Sequence, residues 1–131
     1  MNYRYRCSCG HVYDNAGTSA ACPKCKQENS TEGCGIAQIY RLGNYVGSLV
    51  KMGLYVDEEP YGYIANRGSI KLVIPYGEHQ LSATLNRTKT PKPPVINLTP
   101  EQPEVYYKTA IDLFATEIAF KDADKDSMPT N

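Results

Sequence analysis

Four of the five cysteines in this 131-residue chain fall within its first 26 residues, at a spacing that few folds other than a metal-held one accommodate. Cys7 and Cys9 stand in Cys-Ser-Cys-Gly, twelve residues separate Cys9 from Cys22, and the second pair stands in Cys22-Pro-Lys-Cys25. Zinc takes four soft or borderline ligands at tetrahedral corners, about 2.3 Å away when they are thiolates. Two tight turns carrying two cysteines each supply those corners. Gly10, directly after Cys9, lets the backbone take positive φ so that amides turn back toward a thiolate, and Pro23 stiffens the second turn. So short a segment cannot build a core of its own, and the metal replaces one. The spacing therefore predicts one structural zinc on Cys7, Cys9, Cys22 and Cys25.

The segments Tyr5-Arg-Cys-Ser-Cys-Gly-His-Val-Tyr13 and Cys22-Pro-Lys-Cys25 resemble the two knuckles of the zinc-ribbon and rubredoxin-type superfamily, over residues 3–26. In that superfamily the first knuckle reads Cys-x-x-Cys-Gly, and here it is one residue shorter. The shortening leaves His11 or Cys34 as substitutes for Cys7 at the fourth corner. Outside a metal shell, His11 reads as a solvated turn residue and Cys34 as a partly exposed linker thiol. An iron-bound electron carrier of rubredoxin type would use the same four thiolates, but it also requires an aromatic-lined core, and only tyrosines are on offer. A thioredoxin-type redox pair needs a helix N-terminus beneath it. Catalytic zinc needs three protein ligands and an open position. A closed structural zinc shell fits the pattern better than any of these.

Hydrophobic residues make up 41% of the chain and charged residues 21%, enough for a compact core and too apolar for disorder beyond the ends. Net charge is zero, so the total balance points to neither nucleic acid nor an anionic membrane. Within residues 1–30, Arg4, Arg6, Lys24 and Lys26 outnumber Asp14 and Glu28 by two. The opening Met-Asn-Tyr-Arg-Tyr-Arg-Cys has no apolar run, and no stretch is long and apolar enough to cross a membrane. A cytoplasmic setting is expected, in which thiols stay reduced and close cysteines mean metal or redox chemistry before disulfides.

From Ile36 onward short β-rich runs alternate with turn signals. The predicted strands are 36–42, 48–56, 61–66, 69–75, 79–86, 94–99, 104–113 and 116–121. His79, Leu81, Ala83 and Leu85 share one face by their period of two, as do Ile70, Leu72 and Ile74, and Val105, Tyr107, Thr109, Ile111 and Leu113. This pattern gives a mainly β chain: a ribbon at 1–26, a linker at 27–35, an antiparallel β-sandwich of Ig-like kind at 36–121, and a flexible tail at 122–131. The unit Pro75-Tyr-Gly-Glu-His-Gln-Leu81, with Tyr106-Tyr107 later, resembles the PEGA-type small β-sandwiches, which are mostly accessory and binding modules. His79 is the residue most open to an acid–base reading, but no nucleophile or carboxylate with motif context accompanies it. A hydrogen bond to a turn carbonyl is its expected role.

The chain holds 11 tyrosines, 2 phenylalanines and no tryptophan. Tyrosine gives a strand an apolar body with a wet tip and is common at interfaces. Tyr3, Tyr5 and Arg6 on the ribbon, and Tyr55, Tyr61 and Tyr63 (with Tyr40 and Tyr45) on the strands, are the candidate interaction surfaces. No phosphate-binding glycine loop, paired-carboxylate motif or nucleophile elbow occurs, so an enzyme ranks last among the expected functions. First stands a non-enzymatic interaction module that contacts a protein partner or itself. Second stands a nucleic-acid-binding ribbon using Arg4, Arg6, Lys24 and Lys26 among Tyr3, Tyr5 and Tyr13.

Overall fold

The structure is a computed structural model, and it describes residues 2–43, 51–85, 88–112 and 117–128. The first strands are β1 (Tyr3–Arg6), β2 (Val12–Asn15), β3 (Ser19–Ala21), β4 (Glu28–Ser30) and β5 (Cys34–Arg41). They are followed by β6 (Met52–Val56), β7 (Glu59–Ile64), β8 (Ser69–Pro75) and β9 (Gly77–Leu85). The chain then forms β10 (Thr88–Lys89), β11 (Val95–Leu98), β12 (Glu104–Asp112) and β13 (Glu117–Asp122), and ends in a 3-10 turn at Lys125–Ser127. The expected strands 48–56, 79–86, 104–113 and 116–121 each run at one end into positions outside the described residues, and Tyr45 and Leu113 lie outside them too.

The described residues form three sheets. A six-stranded sheet has the order β13-β12-β5-β8-β1-β2, a second has the order β10-β9-β6-β7 with β11 also beside β9, and β3 pairs with β4 alone. The chain is mainly β, as its alternation requires. Most neighbours are antiparallel, but β5 lies parallel to β12 and β1 parallel to β8. Parallel neighbours need long crossover connections, and short turn signals between successive strands carry no trace of them. No helix among the described residues is long and apolar enough to cross a membrane.

The two large sheets bury one core between them. Ile70, Leu72 and Ile74 from β8 meet Leu81, Ala83 and Leu85 from β9, all buried in one cluster with Ile39, Leu54 and Leu98. The period-two faces are thus the buried ones. Along β12, Tyr107 and Thr109 are buried and Val105 and Ile111 half-buried against the same cluster. Gly35 at the start of β5 packs backbone to side chain: a Cβ added there would stand 2.8 Å from two Leu98 carbons and 2.9 Å from the Pro103 carbonyl oxygen. Gly35→Ala is expected to destabilise the chain by about 1–3 kcal/mol through overpacking. Chemical denaturation measures it, and a loss below ~0.5 kcal/mol would mean that β5 and β11 separate freely.

The cysteine-bearing segment is joined to this frame. β1 continues the large sheet beside β8, with Tyr3 opposite Lys71 and Arg4 opposite Leu72. The stretch 27–35, whose polar composition reads as a linker, contains β4 and the first two residues of β5. Its polar side chains make cross-strand bonds: Ser19 Oγ donates to Glu28 Oε1 at 2.5 Å, and Asn29 Nδ2 donates to Tyr13 Oη at 2.9 Å. Of the stretch 122–131, Asp122 ends β13, Ala123 N–H donates to the Tyr106 carbonyl at 2.9 Å, and Met128 is buried.

Candidate metal centre

The two cysteine turns repeat one hydrogen-bond plan. In the first, Cys7 N–H donates to the His11 carbonyl at 2.9 Å and Gly10 N–H to the Cys7 carbonyl at 2.8 Å. In the second, Cys22 N–H donates to the Gln27 carbonyl and Lys26 N–H to the Cys22 carbonyl, both at 2.8 Å. Each bond of the first turn spans one residue fewer than its counterpart. The shorter Cys-x-Cys spacing is therefore absorbed as a tighter turn, and Cys7 stays in the set. Both turns close through a positive-φ residue, Gly10 at 92° and Lys26 at 69°. Glycine suits the first, while a lysine there carries a modest backbone cost.

The four Sγ atoms of Cys7, Cys9, Cys22 and Cys25 all lie within 4.8 Å of one another. Cys7 Sγ is 3.4 Å from Cys25 Sγ, and Cys9 Sγ is 3.8 Å from Cys22 Sγ. Thiolates at the corners of a tetrahedron about 2.3 Å from zinc stand ~3.8 Å apart, so the donor set fits a four-thiolate ion. Cys7 and Cys22 are buried, Cys9 and Cys25 exposed. Neither His11 nor Cys34 belongs to this group. His11 stacks on Tyr13, with centroids 6.0 Å apart and planes 12° apart. Cys34 opens β5, half-buried, and burial pushes its thiol pKa up.

Backbone amides tune the thiols. The Cys9 amide, followed by the Asn29 side chain, pulls Cys7 down to about 6. Burial works against the Cys22 thiolate, but the Cys25 and Lys24 amides, with the Cys25 and Cys9 side chains, outweigh it and lower that pKa. Cys25 accepts help from the Gln27 amide, yet crowding by Cys7, Cys9 and Cys22 pushes it up to about 12. Amides aimed at sulfur favour the thiolate form, and four thiolates this close require a cation to share. A divalent ion held by these four residues would supply that charge in place of the remaining proton.

The aromatic and basic residues around the turns are packing and fastening groups. Tyr5 is 2% exposed, stacks on Tyr13 with centroids 5.5 Å apart, and donates from its hydroxyl to the Gly17 carbonyl at 2.6 Å. Tyr3 lies beneath Lys71, whose Nζ is 5.4 Å from the ring centroid. Arg4 grips Asp14 with Nε at 2.7 Å and Nη2 at 3.1 Å, and its Nη1 donates to the carbonyls of Tyr61 (3.2 Å) and Tyr63 (2.6 Å). Arg6 Nη1 donates to the Pro60 carbonyl at 2.9 Å, and Nη2 pairs with Glu59 at 3.1 Å. The three carbonyls belong to β7, the terminal strand of the second sheet.

These contacts revise the interaction surface expected from sequence. Tyr5 and Tyr61 are buried, Tyr61 donating to the Val73 carbonyl at 3.1 Å, because each phenol finds an acceptor inside the fold. Arg6 is committed to β7. The carbonyls of Pro60, Tyr61 and Tyr63 on this terminal strand are capped by the two arginines, and charged side chains at a sheet edge blunt it. Tyr55 is half-buried, Tyr40 likewise, and Tyr63 remains open at 63% exposure. A basic strand next to a cysteine turn gives no sign in the sequence of which carbonyls it will reach more than fifty residues later.

His79 has the expected bond, Nε2 lying 2.7 Å from the Pro75 carbonyl oxygen. It also has a carboxylate partner that sequence did not supply: Nδ1 lies 2.6 Å from Asp57 Oδ2. Each ring nitrogen thus faces one oxygen. Asp57 Oδ1 accepts the Gln80 N–H at 2.9 Å. Burial raises the Asp57 pKa, but the bonds from His79 and Gln80 outweigh it and hold the carboxyl below its usual range. Asp57 and Glu58 form the β6–β7 turn, both at positive φ (52° and 66°), as a two-residue hairpin turn of this hand requires. The pair thus ties the β6–β7 turn to the start of β9, where the chain passes from one sheet to the other.

No protein-family model matches the chain, and neither the curated proteins nor the solved structures contain a match to it. The likeness to zinc ribbons and to PEGA-type sandwiches therefore rests on the two cysteine motifs and the Pro75–Leu81 motif of the sequence alone. The four-cysteine cluster is compatible with a zinc-ribbon knuckle.

Proposed function

We propose that Cys7, Cys9, Cys22 and Cys25 hold one structural zinc ion, and that the chain is a non-enzymatic interaction module acting through protein contact. The convergence of four Sγ atoms within 4.8 Å from two matched turns carries the first half of this reading. Cys7, Cys9, Cys22 and Cys25 would close the shell of the ion, leaving no position for water or substrate, which suits a structural zinc and not a catalytic one. The ion's role is to pin two turns that own little apolar core, and so to hold β1 against β8.

The second half is supported by where the cations go. Arg4 and Arg6, two of the four basic residues on which the nucleic-acid reading drew, are engaged with Asp14, Glu59 and the β7 carbonyls. What remains open is the tyrosine-bearing edge near Tyr63, a residue type suited to protein contact. Immobilised zinc-loaded chain is expected to retain a discrete protein, or to self-associate in light scattering at micromolar concentration, regardless of nuclease treatment. Tyr63→Ser should weaken that association while leaving the fold intact. A strict monomer whose only retained material is removed by nuclease would reverse the reading toward nucleic acid.

A further inference from the structure

Between the free edge of the large sheet and the terminal strand of the second runs an open cleft of about 860 Å³. β2 forms one wall and β7 the other, and the two cysteine turns close one end. Its apolar surface comes from Val12, Pro60, Tyr63 and Ala65, and Lys24 and Lys51 stand at its rim. Lys24 and Lys51 are exposed and make no ion pair with a carboxylate among the described residues. Asp14 also lies in the cleft, but Arg4 neutralises it through two hydrogen bonds. The cleft thus sets two lysines without carboxylate partners beside apolar surface, with the Cys9 sulfur among its lining. It also contains Tyr63, the most exposed of the large hydrophobic side chains among the described residues.

We infer that this cleft is a docking site for an acidic peptide segment of a partner protein, its carboxylates meeting Lys24 and Lys51 and an apolar side chain covering Tyr63. The inference rests on the interaction reading above and names its surface and the chemistry of its partner. Single-stranded nucleic acid fits less well. Such grooves follow the backbone with many cations and offer successive open rings. Here only two cations are unneutralised, and His11 and Tyr13 spend a face of each ring on one another. The peptide does not enter as an added strand. A Cβ at Gly62 would already stand 3.2 Å from an Arg4 nitrogen and 3.4 Å from Val12, whereas a new strand needs about 4.8 Å on either side. It lies across the mouth, held by side chains.

Fluorescence anisotropy on the full zinc-loaded chain tests this. The probe is a fluorescein-labelled peptide alternating Glu with Leu and Tyr. Its control has Gln in place of Glu, and labelled oligothymidylate serves as competitor. The acidic peptide should bind, the Gln peptide should bind at least about tenfold more weakly, and added salt should weaken binding. Lys51→Glu and Tyr63→Ser should each weaken it several-fold with zinc content and melting temperature unchanged, and Lys24→Glu with Lys51→Glu should weaken it by about tenfold or more. Lys51→Glu and Tyr63→Ser lie outside the cysteine turns, so they remain decisive if Lys24→Glu disturbs the metal. Equal binding of the two peptides, unchanged affinity in the variants, or displacement by oligothymidylate at lower concentration would overturn the inference. A partner protein retained equally by wild type and by the Lys24→Glu, Lys51→Glu chain would also overturn it, while leaving the interaction reading intact.

Discussion

Stripping the metal with a chelator under reducing conditions, or replacing Cys22 with Ser, is expected to unfold residues 2–33 and to lower the stability of the remaining sheets. The local core of this segment is small: Tyr5 and Ala20 are buried with Val73 of β8, with Tyr3, Tyr13, Cys34 and Ile36 packed partly against them. Structural zinc contributes on the order of 10–16 kcal/mol of apparent binding energy near neutral pH, far more than so few contacts supply. Loss of β1 also uncovers the β8 edge beside Leu72 and withdraws Arg4 and Arg6 from the Pro60, Tyr61 and Tyr63 carbonyls. Two sheet edges then lie open, and the apo chain should aggregate more readily. Hydrogen exchange should show protection lost first in β1–β4 and kept longest around β8 and β9. An apo chain with unchanged melting and unchanged protection in β1–β4 would contradict this.

Within the sandwich the largest single-residue effect is expected at Leu81. It is fully buried, sits opposite Val56 in the β6–β9 ladder, and belongs to the cluster that includes Leu54, Leu72 and Leu98. Leu81→Ala removes its apolar carbons and leaves a cavity that ladder-bound neighbours fill only in part, at a cost of about 2–5 kcal/mol. Urea or guanidinium unfolding measures it. A loss below ~1 kcal/mol would place the working face of β9 elsewhere.

The strands of the sandwich are legible because period-two alternation and Gly or Pro turns are local signals. Ile70, Leu72, Ile74, Leu81, Ala83 and Leu85 are all inward, as their spacing requires. The cysteine cluster is legible because soft-ligand chemistry admits few other uses of that spacing, although the short first turn left His11 and Cys34 as rivals. The backbone plan resolves the rivalry, since a turn one residue tighter still brings Cys7 to 3.4 Å from Cys25. What local signals cannot carry is pairing across long separations. Tyr3-Arg-Tyr-Arg6 reads as a basic aromatic patch, and only the parallel pairing of β1 with β8 turns Tyr5 inward and sends both arginines to β7. Likewise the carboxylate that meets His79 comes from a turn twenty-two residues away.

The central claim is the four-thiolate zinc site, and zinc K-edge X-ray absorption on protein purified reduced and without chelator tests it most directly. One zinc per chain with four sulfur neighbours at about 2.3 Å and no nitrogen or oxygen in the shell is the expected result. A chain without metal, a site loaded with iron, or a zinc shell with fewer than four sulfurs would contradict it.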